Sequence, residues 1–325
     1  MIPAGNGSGM VAEVVGRILA ASPGAGEVIV VDDRVTDGSL DGLPTDDKVL
    51  VVPNDGGRGP AGGRNAGARA ARRPLLFFVD SDVFVRPDIF GRLVDQYNSN
   101  DDADAVLGVE AELSEGANFA SRYKNLWMRF TYVVLPRYVD LFYTSCASIK
   151  RDVFLAAGGM DEGYDRPSVE DTAFGRTLAD GGVRVLLDKD IEVEHRKTYG
   201  VMGVLRTGYR RGVALARCIL RMGTRRGAGG NRTSVPTSFI VSLPASALFL
   251  LWAAWLPFDW AWALGGAAAT LAAIYLLNVK WLTFLGRRGA GMALGALVLL
   301  PAELLCSFGG GVWGTLSYFL LRKRY

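Results

Sequence analysis

Apolar residues follow two patterns along the chain. Over residues 1–200 they form short runs that end in polar residues, whereas residues 235–325 contain long runs without charge. Short apolar runs predict strands of a sheet that is buried on both faces. A run of about twenty apolar residues is long enough to cross a bilayer about 30 Å thick. The pattern therefore predicts an α/β domain at 1–200 and transmembrane helices at 235–325.

Predicted strands and a predicted helix alternate near the start of the chain. Residues 27–33, 48–53 and 75–79 are predicted strands. The helical spacing of apolar residues over 11–20 predicts a helix. This order implies a parallel sheet, which binds ligands at the carboxyl ends of its strands. Residues 1–4 are expected to be the end of a first strand whose beginning is missing.

Two pairs of acidic residues stand at the ends of predicted strands. Asp32 and Asp33 end one strand. Asp80 and Asp82 directly follow another. Carboxylates at the end of a buried strand need a compensating charge, and a divalent cation, which prefers oxygen ligands and binds phosphate, would provide it. A solvated loop is the alternative for the second pair, but two acidic pairs at one edge of a sheet favour a site.

A glycine-rich segment at 56–71 precedes the strand that leads to Asp80. Its glycines would let the backbone come close to a ligand. The alanines that follow predict the start of a helix, whose N-terminus favours an anion. Arg58 and Arg64 are candidates for contact with phosphate oxygens. A flexible loop is the alternative interpretation.

Four motifs occur in a fixed order: Ile-Pro-Ala-x-Asn at 2–6, Val-Val-Asp-Asp at 30–33, Gly-Pro-Ala-x-x-Arg-Asn-x-Gly at 59–67 and Val-Asp-Ser-Asp at 79–82. Together they resemble the inverting glycosyltransferases of family 2, over roughly residues 1–200. The resemblance implies the GT-A fold, with a Rossmann-like sheet that binds a nucleotide-sugar. It assigns the nucleotide-sugar to Pro3, Asn6, Asp32, Asp33, Arg64, Asn65, Asp80 and Ser81. It assigns a Mn²⁺ or Mg²⁺ ion to Asp80, Asp82 and His195.

His195 is the only histidine in the chain. A lone histidine is usually structural. The resemblance implies instead that His195 completes the metal site, since an imidazole can join carboxylates on Mn²⁺. Both interpretations stay open at this point.

A second pair of motifs, Gly-Gly-Met-Asp at 158–161 and Val-Glu-Asp at 169–171, also resembles the family. A general base must be deprotonated near neutral pH and must point at the acceptor hydroxyl. The resemblance assigns the base to Asp171 and a supporting catalytic role to Glu170. From the residues alone, two acids of the first turn of a helix are the favoured interpretation.

The stretch 119–143 is rich in aromatic residues. Aromatic side chains could line a groove for the acceptor. Such a stretch more often belongs to a core or to a surface that faces the membrane, and that interpretation is favoured here.

Charge is distributed unevenly. Residues 1–200 have a net charge of −9, residues 201–234 of +8 and residues 235–325 of +4. An acidic domain followed by a basic segment and an apolar tail indicates a cytoplasmic domain on an anionic membrane face. Residues 201–234 are therefore predicted to form a basic amphipathic helix, or a pair of helices, at the membrane interface. The apolar tail argues against the alternative, a segment that binds nucleic acid.

Two uncharged runs, 239–258 and 260–279, are predicted to span the membrane. A third run, 289–321, is interrupted by Pro301, Glu303 and three glycines, and basic residues flank both of its ends. The positive-inside rule places both flanks in the cytoplasm, which would make this run a hairpin. Because the run is short for two spans, three and four crossings both stay open.

These observations predict a multi-pass glycosyltransferase of the cell (inner) membrane, of hexosyltransferase type, inverting and metal-dependent. Its partners would be a nucleotide-sugar donor, a lipid-linked or saccharide acceptor of cell-envelope glycan or glycolipid synthesis, and membrane lipid. A polyprenyl-phosphate glycosyltransferase and a non-catalytic membrane scaffold with a GT-A fold are the alternatives. The three widely spaced cysteines suit a reducing compartment and form no zinc motif.

Overall fold

The computed structural model describes residues 1–113, 117–223 and 233–325, which divide into two compact units. The first unit contains 1–113, 132–197 and 233–234, and the second contains 117–131, 198–223 and 235–325. The segment 117–131, within the predicted catalytic domain, thus groups with the C-terminal part of the chain. Residues 224–232 of the predicted basic segment lie outside the described residues.

The described strands and helices follow one another along the whole chain. The strands are β1 (Ile2–Ala4), β2 (Val28–Asp32), β3 (Val49–Pro53), β4 (Leu75–Phe78), β5 (Val83–Val85), β6 (Ala105–Glu110), β7 (Tyr138–Val139), β8 (Ala147–Lys150) and β9 (Val185–His195). The helices are α1 (Val11–Leu19), α2 (Pro60–Ala70), α3 (Ile89–Ser99), α4 (Phe119–Val133), α5 (Arg151–Ala156), α6 (Glu170–Asp180), α7 (Val201–Met222), α8 (Thr237–Trp255), α9 (Trp260–Leu277), α10 (Val279–Gly286) and α11 (Ala290–Leu320).

The strands of the first unit form two sheets. β1, β2 and β3 are parallel, as expected, whereas the second sheet is mixed and has the order β4-β8-β6-β9-β5, with β7 beside β9. Two hydrogen bonds join β1 to β4: the Met1 amino group donates to Phe77 O (2.7 Å), and Val79 N donates to Met1 O (3.2 Å). This is the pattern of parallel neighbours, so β2 and β4 end at the same edge. The two acidic pairs therefore lie on one edge although the sheets are separate.

The core of the first unit explains why its elements form where the pattern predicted them. β2 is buried at Val28 and at the three residues that follow it, as expected for a strand covered on both faces. α1 buries Val11, Val14, Val15 and Ile18, which lie on one face of a helix. Both elements contribute to the same apolar cluster. The predicted helix at 11–20 is confirmed.

The second unit contains the long apolar helices. α8, α9 and α11 are each long and apolar enough to cross a membrane. α11 has 31 residues and is continuous through Pro301 and the glycines 309–311. The hairpin expected at 289–321 is therefore not formed. Of these glycines, Gly310 allows α7 to approach closely: a Cβ on Gly310 would lie 2.1 Å from Tyr209 O.

The aromatic residues of α4 form part of the core of the second unit. Tyr123, Trp127 and Phe130 are buried, and their rings contact that of Trp281 at centroid distances of 5.2–5.6 Å. Glu303 of α11 accepts a hydrogen bond from the Tyr123 hydroxyl (2.9 Å). The preference for a core over an acceptor groove is confirmed for these three residues.

Candidate active site

Strand pairing brings His195 next to the acidic loop that follows β4. β5 and β9 are antiparallel, and Val83 is paired with His195. Asp82 directly precedes Val83, so its side chain lies at the end of β9, with Oδ1 3.2 Å from His195 Nε2. On the other side of the ring, Nδ1 lies 3.0 Å from Oε1 of Glu110, the last residue of β6. The imidazole thus lies between two carboxylates.

The charge of His195 follows from these neighbours. Burial lowers the pKa of His195, but the hydrogen bonds with Asp82 and Glu110 outweigh it and raise the pKa to about 10. The imidazole is therefore positively charged near neutral pH. It balances part of the negative charge of the two carboxylates.

Arg64 connects the glycine-rich segment to the second acidic motif. It lies in the first turns of α2, is buried, and donates from Nη2 to Asp80 Oδ1 (2.6 Å) and from Nη1 to Glu170 Oε1 (3.1 Å). Burial lowers the pKa of Arg64, but the charges of Asp80 and Glu170 outweigh this effect and raise it above its ordinary value. Ser145 donates to Asp80 Oδ2 (2.5 Å). Burial raises the pKa of Asp80, yet Arg64 and Ser145 hold it below its usual value.

Asp32 and Asp33 shape the backbone at the edge of the first sheet. Asp33 accepts hydrogen bonds from Asn54 Nδ2 (2.7 Å) and from the backbone N–H of Gly59 (2.8 Å). It therefore holds the glycine-rich segment in place. Asp32 accepts from Val35 N (2.8 Å). Their contact with a nucleotide-sugar stays a prediction.

The first loop meets the loops around it through Asn6, Ser8 and Ser81. Asn6 Oδ1 accepts from Thr36 N (2.8 Å), and Ser81 Oγ donates to Ser8 Oγ (3.1 Å). Pro3 lies under α2, where a Cβ on Gly63 would come within 3.1 Å of it. These contacts bring the predicted donor-binding residues of the first loop to the same edge as Asp80.

The Asn65 side chain forms hydrogen bonds with the loop that follows α5. It is buried, its Oδ1 accepts from Met160 N (2.8 Å), and its Nδ2 donates to Met160 O (2.8 Å) and Glu162 Oε1 (2.9 Å). Glu162 also accepts from Gly57 N (2.6 Å). Asn65 therefore ties the Gly-Gly-Met-Asp loop to α2, and its predicted role in donor binding would act through that loop.

The two acids at the start of α6 differ in their surroundings. Glu170 is buried, pairs with Arg64 and accepts from Ser168 N (2.8 Å). Asp171 is only partly buried and accepts from Thr172 N (2.6 Å). A general base must reach the acceptor, so the more accessible Asp171 suits that role better, and Glu170 suits a supporting one.

The predicted metal ligands are only partly assembled. Across the described ranges, no three His, Cys, Asp or Glu side chains converge as a metal-binding group. Both oxygens of Asp80 accept hydrogen bonds, from Arg64 and Ser145, and its role as a metal ligand stays a prediction. Asp82 and His195 do lie together, and a carboxylate with an imidazole is a donor set that suits Mn²⁺. A cation held there would replace the proton on His195 Nε2.

Four residues of this site were missed by the sequence reasoning. Asn54 and Glu110 lie at strand ends, so the rule that singled out Asp32 and Asp80 would have found them. Ser145 and Tyr143 lie just before β8, in a turn that the pattern of apolar residues does not predict. No sequence signal marks these two residues.

Comparison with known proteins finds similarity to glycosyltransferases in both sequence and structure. Residues 1–156 match the family model described as glycosyl transferase family 2. The glucosyl-dolichyl phosphate glucuronosyltransferase of Haloferax volcanii is 31% identical over 191 residues, covering 52% of this chain and 58% of the relative. The succinoglycan biosynthesis protein ExoU of Rhizobium meliloti is 34% identical over 145 residues, covering 43% of this chain and 40% of the relative. The chain thus spans about half the length of the curated relatives it matches.

Among solved structures, a similar one is the mannosyltransferase PcManGT from Pyrobaculum calidifontis, determined in complex with GDP-Man and Mn²⁺. The TM-score is 0.56 at 19% sequence identity, with 96% of this chain and 86% of that chain covered. The likeness extends to the fold, and the predicted GT-A fold is confirmed.

Proposed function

From the match of residues 1–156 to the model of glycosyl transferase family 2, we propose that the chain belongs to this family and is a membrane-bound, inverting glycosyltransferase. It would move a sugar from a nucleotide-sugar to a lipid-linked or saccharide acceptor. The observation that carries the proposal is the side chain of Arg64, which joins the acidic motif after β4 to the acidic pair of α6. The charge of Asp171 also acts on Arg64. The predicted donor and base residues are therefore close neighbours.

The reaction would proceed by a single displacement. The Asp171 carboxylate accepts the proton of the acceptor hydroxyl, and the hydroxyl oxygen forms a bond to the anomeric carbon. The bond from that carbon to the nucleoside diphosphate breaks on the opposite side, so the configuration inverts. Glu170, held by Arg64 and Ser168, orients the start of α6 and hence the base.

The charge of the leaving diphosphate has to be neutralised. Asp82 and His195 are the residues that would hold Mn²⁺ or Mg²⁺, with Asp80 of the same loop in support. Such a cation would bind diphosphate oxygens and neutralise the charge that develops on them.

The acceptor is proposed to carry a lipid. The Haloferax volcanii relative is named for an acceptor in which a sugar is attached to dolichyl phosphate. Three apolar helices of this chain are long enough to place it in the bilayer where such a lipid lies. A cytoplasmic catalytic domain and a cell (inner) membrane location are part of the proposal, supported by the net charge of +8 over residues 201–234, between the acidic domain and the apolar helices.

The first experiment identifies the donor. Purified full-length protein in detergent is tested for thermal stabilisation by UDP, GDP, TDP and CDP, each with and without Mn²⁺. The proposal expects a Mn²⁺-dependent shift for one nucleotide, lost in Asp82→Asn and kept in Asp171→Asn. No shift for any nucleotide would contradict donor binding and favour the non-catalytic scaffold.

The second experiment tests the base with the nucleotide-sugar so identified. A sugar linked to polyprenyl phosphate and the bare polyprenyl phosphate are compared as acceptors. With the hydroxyl acceptor, Asp171→Asn is expected to lower turnover by about 10²-fold or more, because general base catalysis contributes about that much. With the bare phosphate, no base is needed, so a large residual activity there would favour the polyprenyl-phosphate alternative. Asp180→Asn, an exposed acid at the other end of α6, is the matched control.

A further inference from the structure

Glu110 and His195 are brought together by neighbouring strands. β6 and β9 are parallel there, and Glu110 is paired with Val193. His195 lies two residues beyond Val193, so its side chain is on the same face of the sheet. The result is the 3.0 Å contact between Glu110 Oε1 and His195 Nδ1.

The contact has a defined direction. Oε1 of Glu110 acts as the acceptor, so Nδ1 is the donor. Tyr143 donates its hydroxyl to the same oxygen of Glu110. Burial raises the pKa of Tyr143 well above its ordinary value, so the phenol keeps its proton. Glu110 itself is only 4% exposed, and its carboxylate is held in one orientation by both donors.

This arrangement decides which nitrogen of His195 remains for other partners. With Nδ1–H bonded to Glu110, Nε2 is the nitrogen that faces Asp82, at 3.2 Å. A histidine ligates a metal through one nitrogen, and the hydrogen bond of the other nitrogen sets the tautomer and the ring orientation. Resting on the proposed function, we propose that Glu110 and Tyr143 are positioning residues that hold His195 with Nε2 towards a divalent cation shared with Asp82.

A merely structural role for Glu110 would have a different consequence. If the carboxylate only balanced charge in the core, its loss would lower stability and leave cation affinity at the remaining site unchanged. If it positions His195, its loss weakens cation binding in protein that is still folded. The two roles are therefore separated by a binding measurement.

The single histidine makes that measurement direct. Full-length protein is labelled with [¹³C]histidine, purified in detergent through a tag without histidine, and titrated with MnCl₂. The Cε1–H signal then comes from His195 alone. Paramagnetic broadening of this signal gives the Mn²⁺ concentration at half-occupancy. Asp82→Asn establishes that the broadening reports this site, and Glu194→Gln, a more exposed carboxylate on the same strand, is the control.

The midpoint of the titration, which is the Mn²⁺ concentration at half-occupancy, is expected to rise about 10-fold or more in Glu110→Leu. Loss of such a partner typically costs 10–100-fold in metal affinity. Glu110→Gln keeps an oxygen that accepts from Nδ1–H, so it is expected to rescue part of the loss. Tyr143→Phe shifts the midpoint in the same direction by less. If Glu110→Leu does not fold, the Gln and Phe variants decide.

Two further results separate the inference from the function it rests on. Wild-type midpoints in all Glu110 and Tyr143 variants, with broadening lost in Asp82→Asn, would overturn the positioning role alone. A wild-type signal that Mn²⁺ does not broaden, or broadening that persists in Asp82→Asn, would overturn the metal site and the inference with it.

Discussion

The Nη2 atom of Arg64 lies 2.6 Å from Oδ1 of Asp80, and Arg64 is only 3% exposed. A buried charge of this kind is costly to leave without its partner. Because Arg64 also pairs with Glu170, its removal leaves two carboxylates uncompensated.

We therefore expect Arg64→Met to lower the free energy of unfolding by about 3–5 kcal/mol, the usual cost of breaking a buried ion pair. Denaturant titration in detergent, followed by tryptophan fluorescence, measures the change. Arg69→Met is the control, because Arg69 pairs with Asp55 at a half-exposed position, where an ion pair contributes about 0–1 kcal/mol. Equal losses in the two variants would contradict the structural role of Arg64.

Substitutions of the two acids at the start of α6 are expected to affect different properties, one the stability of the protein and the other its turnover. Glu170→Gln disturbs a buried carboxylate that accepts from Arg64 and Ser168, and should cost about 1–3 kcal/mol of stability. Asp171→Asn changes a partly buried side chain and should stay within about 0.5 kcal/mol, although it removes the proposed base. Thermal unfolding of both variants beside turnover provides the comparison. A large loss of stability in Asp171→Asn would assign that residue to structure rather than to catalysis.

The sequence predicts those parts of the site that follow from a strand and the residue after it. Asp32 and Asp82 were found because each stands at the end of an apolar run, and both lie at the edge where the strands end. Contacts between distant loops leave no such pattern. Ser145 reaches Asp80 across 65 residues of chain, and Tyr143 reaches Glu110 across 33. Such pairs depend on strand order, which hydrophobic periodicity does not encode.

The continuous form of α11 shows a second limit. Pro301 and three successive glycines are typical of a break, and the charged flanks suggested a hairpin. The helix continues, and Gly310 and Gly314 face α7, where closeness of the two backbones stabilises both helices. Periodicity within one segment carries no information on a partner helix eighty or more positions away.

The loop that carries Gly158 and Gly159 offers a matched pair of substitutions. Both residues have positive φ, at +83° and +73°, so alanine at either position costs about 1–2 kcal/mol from the backbone. A Cβ at Gly158 meets nothing within 4 Å, whereas a Cβ at Gly159 would lie 2.6 Å from Asn65 Oδ1. Gly159→Ala is therefore expected to lower the free energy of unfolding by at least about 1 kcal/mol more than Gly158→Ala, since it also strains the bond from Met160 to Asn65.

A double-mutant cycle measures this coupling. Asn65→Ala removes the atom that a Cβ at position 159 would meet, so the additional cost of Gly159→Ala should largely disappear in that background. Denaturant titration of the four proteins gives the interaction energy. Strict additivity of the two substitutions would show that Asn65 does not limit the loop.

The three successive glycines 309–311 of α11 are expected to respond differently to alanine. Gly309 and Gly311 face open space, and a Cβ there meets nothing within 4 Å. Alanine favours a helix over glycine by up to about 1 kcal/mol, so Gly309→Ala and Gly311→Ala should be neutral or stabilising. A Cβ at Gly310 would lie 2.1 Å from the backbone oxygen of Tyr209, which cannot move aside as a side chain can. Gly310→Ala should therefore cost about 1–3 kcal/mol, as overpacking does.

The facing helix provides an independent test of the same contact. A Cβ at Gly212 of α7 would lie 2.4 Å from Ser307 O, so Gly212→Ala should destabilise the protein as Gly310→Ala does. At Gly203, also on α7, a Cβ would meet only one atom of the described residues, in the Tyr199 side chain at 3.8 Å, so Gly203→Ala should not destabilise the protein. Thermal unfolding of these variants in one detergent compares them directly. A common response of all glycines on both helices would indicate that helix propensity, and not the approach of α7 to α11, sets the stability of this pair.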